Sequence, residues 1–277
     1  MNRQILSEKE KDIIIYNYVV LKKGLIPSGK SVGVSQKTVE KVLKEKGIKK
    51  RTYAESKQLL RKYTVNDDYF KIQTPNMAYI LGLLAADGNI CVKENKITLE
   101  LQAQDIDILE KIKEEVKTTY PIKNTDRNSR EYRSLQIHSS VWKSDLKHYS
   151  IVPKKTKILE PPFFLQKKYY IDYIRGFFDG DGSIFESNGT LCCKFGGTNK
   201  QIIEWIRSYF ANEHGIITNL YEYNKKDNIC YYISYYGKRA RQIYKLFYYN
   251  NDILKLNRKY NIFTELLWLR NPRDRIP

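Results

Sequence analysis

Apolar positions recur along this chain with two different periods, and each change of period marks a new element. Ser7 with Glu10 three positions later forms a capping box that opens an apolar-periodic helix through Ile13, Ile14 and Val20. Gly24 to Gly33 predicts a loop. Ser35 then caps a helix whose Val39, Val42 and Leu43 share one face, and Gly47 stops it. A short helix, a glycine-containing turn and a capped basic helix predict a helix-turn-helix. Gln36, Lys37, Glu40, Lys41 and Lys44 would then face away from its core, toward a DNA major groove. An ordinary helical hairpin with a solvated basic face has the same pattern, so charge has to decide between the two. Arg51 to Asn66 predicts a polar linker.

From about residue 67 the pattern repeats. AYILGLLAADGNI (Ala78 to Ile90) returns as DYIRGFFDGDGSI (Asp172 to Ile184). Superimposing Gly82 on Gly176 also aligns Asp87 with Asp181 and Gly88 with Gly182, an offset of 181 − 87 = 94 residues. KITLELQAQ and TLCCKFGGT alternate like half-buried strands, while DIDILEKIKEEV and KQIIEWIRSYF space their apolar residues as helices. EYRSLQIHSS and ICYYISYYGK return to strand, and SDLKHYSIVPKKT and NNDILKLNRKY close each unit. Each half thus predicts helix, two strands, helix, strands, helix. The pair predicts a pseudo-two-fold α+β domain whose two antiparallel sheets form one surface. The expected division is 1–66 for the helical domain and linker, 67–165 for the first repeat and 166–277 for the second.

Charge changes this picture. The 277 residues carry 49 Lys and Arg against 31 Asp and Glu, a net +18, which favours a polyanionic partner. Residues 1–66 hold 16 of the cations against six acids, and that local excess of ten favours the DNA-contacting reading of the first two helices. At 42% hydrophobic residues the chain is no disordered basic tail. Its longest apolar stretch, Met77 to Ala86, is about half of a bilayer crossing, and MNRQILSEKEKD lacks the apolar core of a signal peptide. Cys91, Cys192, Cys193 and Cys230 form no CxxC pair and read as reduced thiols of an intracellular protein. His138, His148 and His214 are too scattered for a histidine metal motif, and neither a GxxxxGK[ST] loop nor a GxSxG elbow occurs. The 23 tyrosines fit AT-rich coding, and most need no functional role.

The repeated helix carries the candidate chemistry. Ala78, Gly82 and Ala86 form a small-residue stripe, as do Gly176 and Gly180, so two helix backbones can approach closely. Asp87 and Asp181 end these helices, each before a glycine suited to a left-handed stop. An acid there opposes the helix dipole. Packed side by side, the helices would bring both carboxylates together beside exposed carbonyls, an oxygen site for a hard divalent cation such as Mg²⁺ and suited to phosphodiester cleavage.

At these residues the chain resembles the single-chain, two-motif LAGLIDADG homing endonucleases, with ILGLLAADG and IRGFFDGDG as the motifs and the resemblance running from about Asn66 onward. It implies two saddle-shaped sheets around two central packed helices, preceded here by a small all-α helix-turn-helix domain. It implies metal ligation by Asp87 and Asp181 with the carbonyls of Ala86 and Gly180, Mg²⁺ as the cofactor and Mn²⁺ as a substitute. Ala85 replaces the motif's first acid in the first copy, while the second keeps Asp179. The resemblance also implies a basic residue near the scissile phosphates in each repeat, which PKKT and NRKY align on Lys155 and Lys259, and a polar residue completing the water network, for which Gln102 is the candidate. In the second copy Gly196 aligns with Gln102, and Lys194 stands two residues earlier. By the same resemblance the saddle reads bases through Lys96, Thr98, Arg133, Gln136, His138, Lys194, Tyr221, Tyr223, Tyr232 and Ser234, besides Gln36, Lys37, Lys41 and Lys44 of the N-terminal helix.

The implied activity is a staggered double-strand cut in a long double-stranded DNA target, made by a monomer with no membrane partner. An intron RNA maturase and a non-cleaving regulator of the WhiA kind share the fold. Retention of both Asp87 and Asp181 speaks against the regulator but leaves the maturase open. Without a leading Cys or Ser or a terminal Asn, the sequence is not expected to sit within an intein.

Overall fold

The protein, as a computed structural model, is described over residues 6–59, 61–127, 130–225 and 228–267. It divides into two compact units between Lys62 and Tyr63.

In the first unit α1 (Glu8–Ile15) opens on the expected capping box, with Ser7 Oγ accepting from Glu10 N–H and Glu10 accepting from Ser7 N–H. The helix continues as a wider π-helical turn, Tyr16–Val20. Ile14 and Tyr18 are buried, whereas Ile13 and Val20 are exposed. The expected loop at Gly24–Gly33 is instead largely helical, α2 (Leu25–Lys30). Pro27 falls in the first turn, where its missing N–H costs nothing, and Ser28 Oγ donates to Gly24 O at 2.8 Å. A Cβ on Gly29 would stand 2.6 Å from Val34 O, so this glycine serves close packing against the following turn. The turn itself centres on Gly33 at φ +72°. α3 (Gln36–Glu45) follows its Ser35 cap, and Val39, Val42 and Leu43 join Ile14 and Tyr18 in one core. Gly47 ends it at φ +68°, with Ile48 N–H donating to Leu43 O at 2.8 Å.

The expected linker at 51–66 is also corrected. Arg51 is fastened to the π-helical turn: its N–H donates to Tyr18 Oη at 2.7 Å, and its guanidinium lies 3.9 Å over the Tyr18 ring. Thr52 and Glu55 cap α4 (Tyr53–Leu59) reciprocally. Thr64 and Asn66 belong to the second unit, where Thr119 N–H donates to Thr64 O and Asn66 N–H to Val116 O. The boundary therefore lies a few residues before the expected 66.

The second unit is the duplicated α+β domain. The first repeat runs α5 (Pro75–Asp87), β1 (Gly88–Ile90), β2 (Lys96–Gln102), α6 (Ile106–Glu115), β3 (Ile122–Arg127), β4 (Arg130–His138), α7 (Ser140–His148). The second runs α8 (Tyr170–Asp181), β5 (Ser183–Ser187), β6 (Thr190–Gly197), α9 (Lys200–His214), β7 (Leu220–Lys225), β8 (Asn228–Tyr236), α10 (Lys238–Phe247), and adds α11 (Asn257–Leu266). Both sheets are antiparallel and four-stranded, in the orders β1-β2-β4-β3 and β5-β6-β8-β7. Ile97, Leu99, Leu101, Leu135 and Ile137 turn inward from the first sheet, and Leu191, Phe195, Ile233 and Tyr235 from the second, all into one core.

α5 and α8 lie side by side at its centre. An ideal Cβ on Gly82 would stand 2.0 Å from Tyr173 O, and one on Gly176 2.0 Å from Tyr79 O. Only glycine lets the backbones touch there, and the two contacts are related by the sequence offset. Gly88 and Gly182 are not left-handed stops. Their φ values of −69° and −78° are extended, and the chain passes straight from helix into strand. A Cβ at Gly88 would meet Leu84 O at 2.5 Å, and one at Gly182 would meet the Phe178 ring at 2.1 Å. These glycines let the strand fold tightly over the helix's last turn.

Candidate active site

Asp87 and Asp181 are the last residues of α5 and α8, so the glycine seam that joins the helices brings the two carboxylates to one end. A Cβ on Gly180 would fall 2.3 Å from Ala86 Cβ and 3.1 Å from Asp87 Oδ2. Both carboxylates keep an open side to solvent, but the crowded helix ends strip away much of their water. That desolvation, then the neighbouring Asp181 charge, raises the Asp87 carboxyl to about 6. Asp181 is raised too, by desolvation, against the opposing pull of Lys259 and Lys155.

The helix ends expose carbonyls where cations are favoured, and two buried lysines answer them. Lys259 Nζ donates to the carbonyls of Phe178 (2.6 Å), Asp179 (2.7 Å), Gly182 (2.7 Å) and, at 3.3 Å, Gly180. Lys155 Nζ donates to Gly88 O. Burial pulls both ammonium groups below the usual lysine value while the nearby carboxylates oppose it. The structure thus places the predicted lysines beside the predicted acids, as buried partners of the motif helices and not as solvated side chains.

Each lysine arrives on a segment anchored to the other repeat. Arg258 grips the buried Asp105 carboxylate with Nε (3.0 Å) and Nη2 (2.9 Å), and Asn257 Nδ2 donates to Asp107 Oδ2 at 2.5 Å. In the first repeat, Asn199 Nδ2 holds Leu159 O at 2.8 Å, four residues after Lys155. Asp179, within the second motif, is fully buried, with Oδ2 accepting from Tyr79 Oη and from Leu256 N–H, both at 2.8 Å. Sequence reasoning missed Asp105, Arg258 and Tyr79. Arg258 and Asp105 flanked residues already singled out, but only the fold pairs positions 153 residues apart.

Gln102 stands exposed at the end of β2, accepting from Gln104 Nε2 at 2.8 Å. The outward face of the first sheet carries Lys96, Thr98, Gln136 and His138, paired Lys96 with His138 and Thr98 with Gln136. Arg133 is corrected: it pairs with Leu101 and shares the inward parity of Leu135 and Ile137, bonding to Tyr132 O and Glu131 instead. In the second sheet Lys194, Ser234, Tyr232, Tyr221 and Tyr223 do share the outward face. On α3, Gln36, Lys37, Lys41 and Lys44 are exposed opposite the core residues, and Gln36 Nε2 donates to Glu40 at 3.0 Å. Among the described residues no helix is long and apolar enough to cross a membrane, and no three His, Cys, Asp or Glu residues cluster as a metal site. The four cysteines are free thiols.

Among curated proteins, the chain is 26% identical over 179 residues to the ribonucleoside-diphosphate reductase NrdEB subunit alpha of Bacillus subtilis (strain 168), covering 57% of this chain and 16% of that protein. The same figures hold for the corresponding subunit of Bacillus phage SPbeta. The chain thus spans about a sixth of the length of these relatives. Among solved structures, the meganuclease I-SmaMI bound to uncleaveable DNA matches with a TM-score of 0.46 at 12% identity, over 70% of this chain and 88% of that one. Full-length DUF199/WhiA from Thermatoga maritima matches with a TM-score of 0.46 at 14% identity, over 76% and 68%. Residues 168–259 match the family model of the LAGLIDADG-like domain, from the start of α8 to Lys259. The chain therefore carries a LAGLIDADG-like domain in its second repeat, and its first repeat, alike in element order and strand topology, builds the same fold.

Proposed function

We propose that this chain is a metal-dependent, site-specific endonuclease that cuts both strands of a long double-stranded DNA target. The observation that carries the reading is the convergence of Asp87 and Asp181 across a seam where only glycine fits, with Lys155 and Lys259 at their backs. Two carboxylates whose protons are held by desolvation, with the Asp181 charge adding to it at Asp87, suit a divalent cation, which relieves both costs. Mg²⁺ is commonly bound by one or two carboxylates together with waters and substrate phosphates, so a site without a third acid fits it. Asp87, Asp181 and the carbonyls of Ala86 and Gly180 would hold it, with Mn²⁺ as a substitute. The cation would orient water and offset the charge that develops on the scissile phosphate.

The chain's own residues do the rest. Lys155 and Lys259 set the helix ends in place and add positive charge next to where a phosphate would lie. The outward sheet faces bind the duplex, and the basic face of α3 extends the footprint in the manner of a helix-turn-helix. The chain acts as a monomer, since both motifs stand in one polypeptide.

The test is Mg²⁺-dependent cleavage of fragmented low-GC genomic DNA, with the new ends sequenced, beside Asp87→Asn and Asp181→Asn. A recurrent staggered cut, lost in both variants while binding persists, is the expected result. Tight duplex binding without cutting in either metal would move the reading to a regulator, and preferential binding of folded intron RNA to a maturase.

A further inference from the structure

The two outward sheet faces differ in chemistry. Strand register puts Lys96, Thr98, Gln102, Gln136 and His138 on the first face, with Tyr132 as a ring among groups that exchange hydrogen bonds. On the second, register puts Phe185, Lys194, Tyr221, Tyr223, Tyr232 and Tyr236 outward together. Tyr221 is 46% exposed, Tyr223 46%, Tyr236 50% and Phe185 39%. These rings are organised. Tyr221 stacks on Tyr232 with centroids 5.3 Å apart and planes at 21°, Tyr223 meets Tyr232 edge-on at 5.8 Å, and the Lys194 ammonium lies 3.9 Å over the Tyr232 ring. A soluble domain that leaves a packed aromatic cluster uncovered has a surface for a partner with apolar groups. In a duplex major groove, the apolar group within reach of such a surface is the C5-methyl of thymine.

We propose that the two halves of the saddle read DNA by different means. The first repeat reads its half-site through hydrogen bonds to base edges. The second selects a thymine-rich half-site by packing Tyr221, Tyr223 and Tyr232 against thymine methyls, with the Lys194 charge directed to the neighbouring phosphates. The inference rests on the duplex-binding part of the proposed function and needs no cleavage.

The experiment selects binders from a pool of random-sequence DNA duplexes using the full chain without divalent metal, then replaces thymine by deoxyuridine in one half-site at a time. One selected half-site should be rich in thymine. Burial of one methyl is worth roughly a three- to fourfold change in affinity, so removing three should weaken binding by roughly 30-fold or more there, and by less than about twofold in the other half. Tyr221→Ala with Tyr223→Ala should erase that dependence, whereas Tyr221→Phe, which keeps the ring, should preserve it. Both tyrosines stand on the edge strand β7, outside the core. A thymine-poor site, equal deoxyuridine effects in both halves, or loss of the effect in Tyr221→Phe would overturn the proposal while leaving the nuclease reading intact. Failure to select any duplex would overturn both. A thymine-dependent binder that never cuts would support this proposal and refute the nuclease.

Discussion

Replacing Gly176 by alanine tests the argument on which the candidate site depends. The new Cβ would stand 2.0 Å from Tyr79 O and 2.9 Å from Leu83 N, both backbone atoms of the partner helix. Non-bonded carbon contacts settle near 3.5 Å, so α5 and α8 must part by roughly 1 Å or more. Overpacking costs about 1–3 kcal/mol where side chains can yield. Here backbone meets backbone, which puts the cost at the upper end or beyond. Alanine's better helix propensity returns up to about 1 kcal/mol. A net loss of about 2–3 kcal/mol should lower Tm by roughly 5–10 °C in a unit of this size. Gly82→Ala should behave alike, because its Cβ would meet Tyr173 O at the same 2.0 Å. Gly197→Ala is the control, with nothing within 4 Å of its Cβ. Thermal denaturation of the three variants decides the matter. If Gly82→Ala and Gly176→Ala melt within about 1 °C of wild type, the helices do not touch as described, and the convergence of Asp87 and Asp181 loses its basis.

Other consequences can be measured on the same protein. In metal-free buffer the Asp87 carboxyl, raised from 3.8 to about 6, binds its proton more tightly in the folded state. Its contribution to stability is therefore complete below the unfolded value and is lost as pH rises through about 6. The Tm of Asp87→Asn should accordingly climb relative to wild type between about pH 4 and 7, and a difference that stays flat with pH would refute the shift. Arg258→Ala leaves the Asp105 carboxylate buried without its partner and should cost about 2 kcal/mol, discounted because the Arg258 side chain is 36% exposed. Hydrogen exchange should then quicken along α11, and unchanged protection there would mean that the pair anchors nothing. Lys37→Ala, Lys41→Ala and Lys44→Ala together should flatten the slope of log affinity against log salt by up to about 3. An unchanged slope would remove α3 from the DNA interface.

Much of this arrangement is legible in the sequence because it follows from period and spacing. The duplication, the alternation of the strands and the small-residue stripe rest on residues whose inward or outward direction is set by position, and the structure places them accordingly. What escapes is whatever depends on packing or on remote partners. Ile13, Ile14 and Val20 all read as apolar, but the core takes the face of Ile14 and Tyr18 and leaves Ile13 and Val20 at the surface. Gly24–Gly33 has the composition of a loop, but a proline in the first turn and a glycine pressed on Val34 are both compatible with helix. Gly88 and Gly182 look like left-handed stops because that is the commonest use of glycine after a helix, yet here the constraint is the last turn of the helix beneath them. Arg133 stands an odd number of residues from Gln136 and His138, so the strand's alternation turns it to the other face.

The repeats agree in topology and differ in what fills their central helices, and that difference bears on the site. Where α5 has Ala78, Leu81 and Ala85, α8 has Asp172, Arg175 and Asp179. Arg175 is fully buried, pairs with Asp172 at 2.8 Å, and donates to Phe247 O at 3.0 Å and Leu254 O at 3.1 Å. Asp179 then takes the Leu256 N–H, and Arg258 takes Asp105. The chain from Phe247 to Arg258 is thereby fastened at successive points, and the next residue is Lys259. Buried ion pairs add little to net stability, because desolvation offsets their attraction. Their directional demands, however, admit few alternative arrangements of the segment they hold. The polar groups inside the second repeat are therefore best understood as fixing where Lys259 meets the end of α8. Lys155, carried on a short turn with one cross-repeat bond nearby, is held by fewer such constraints.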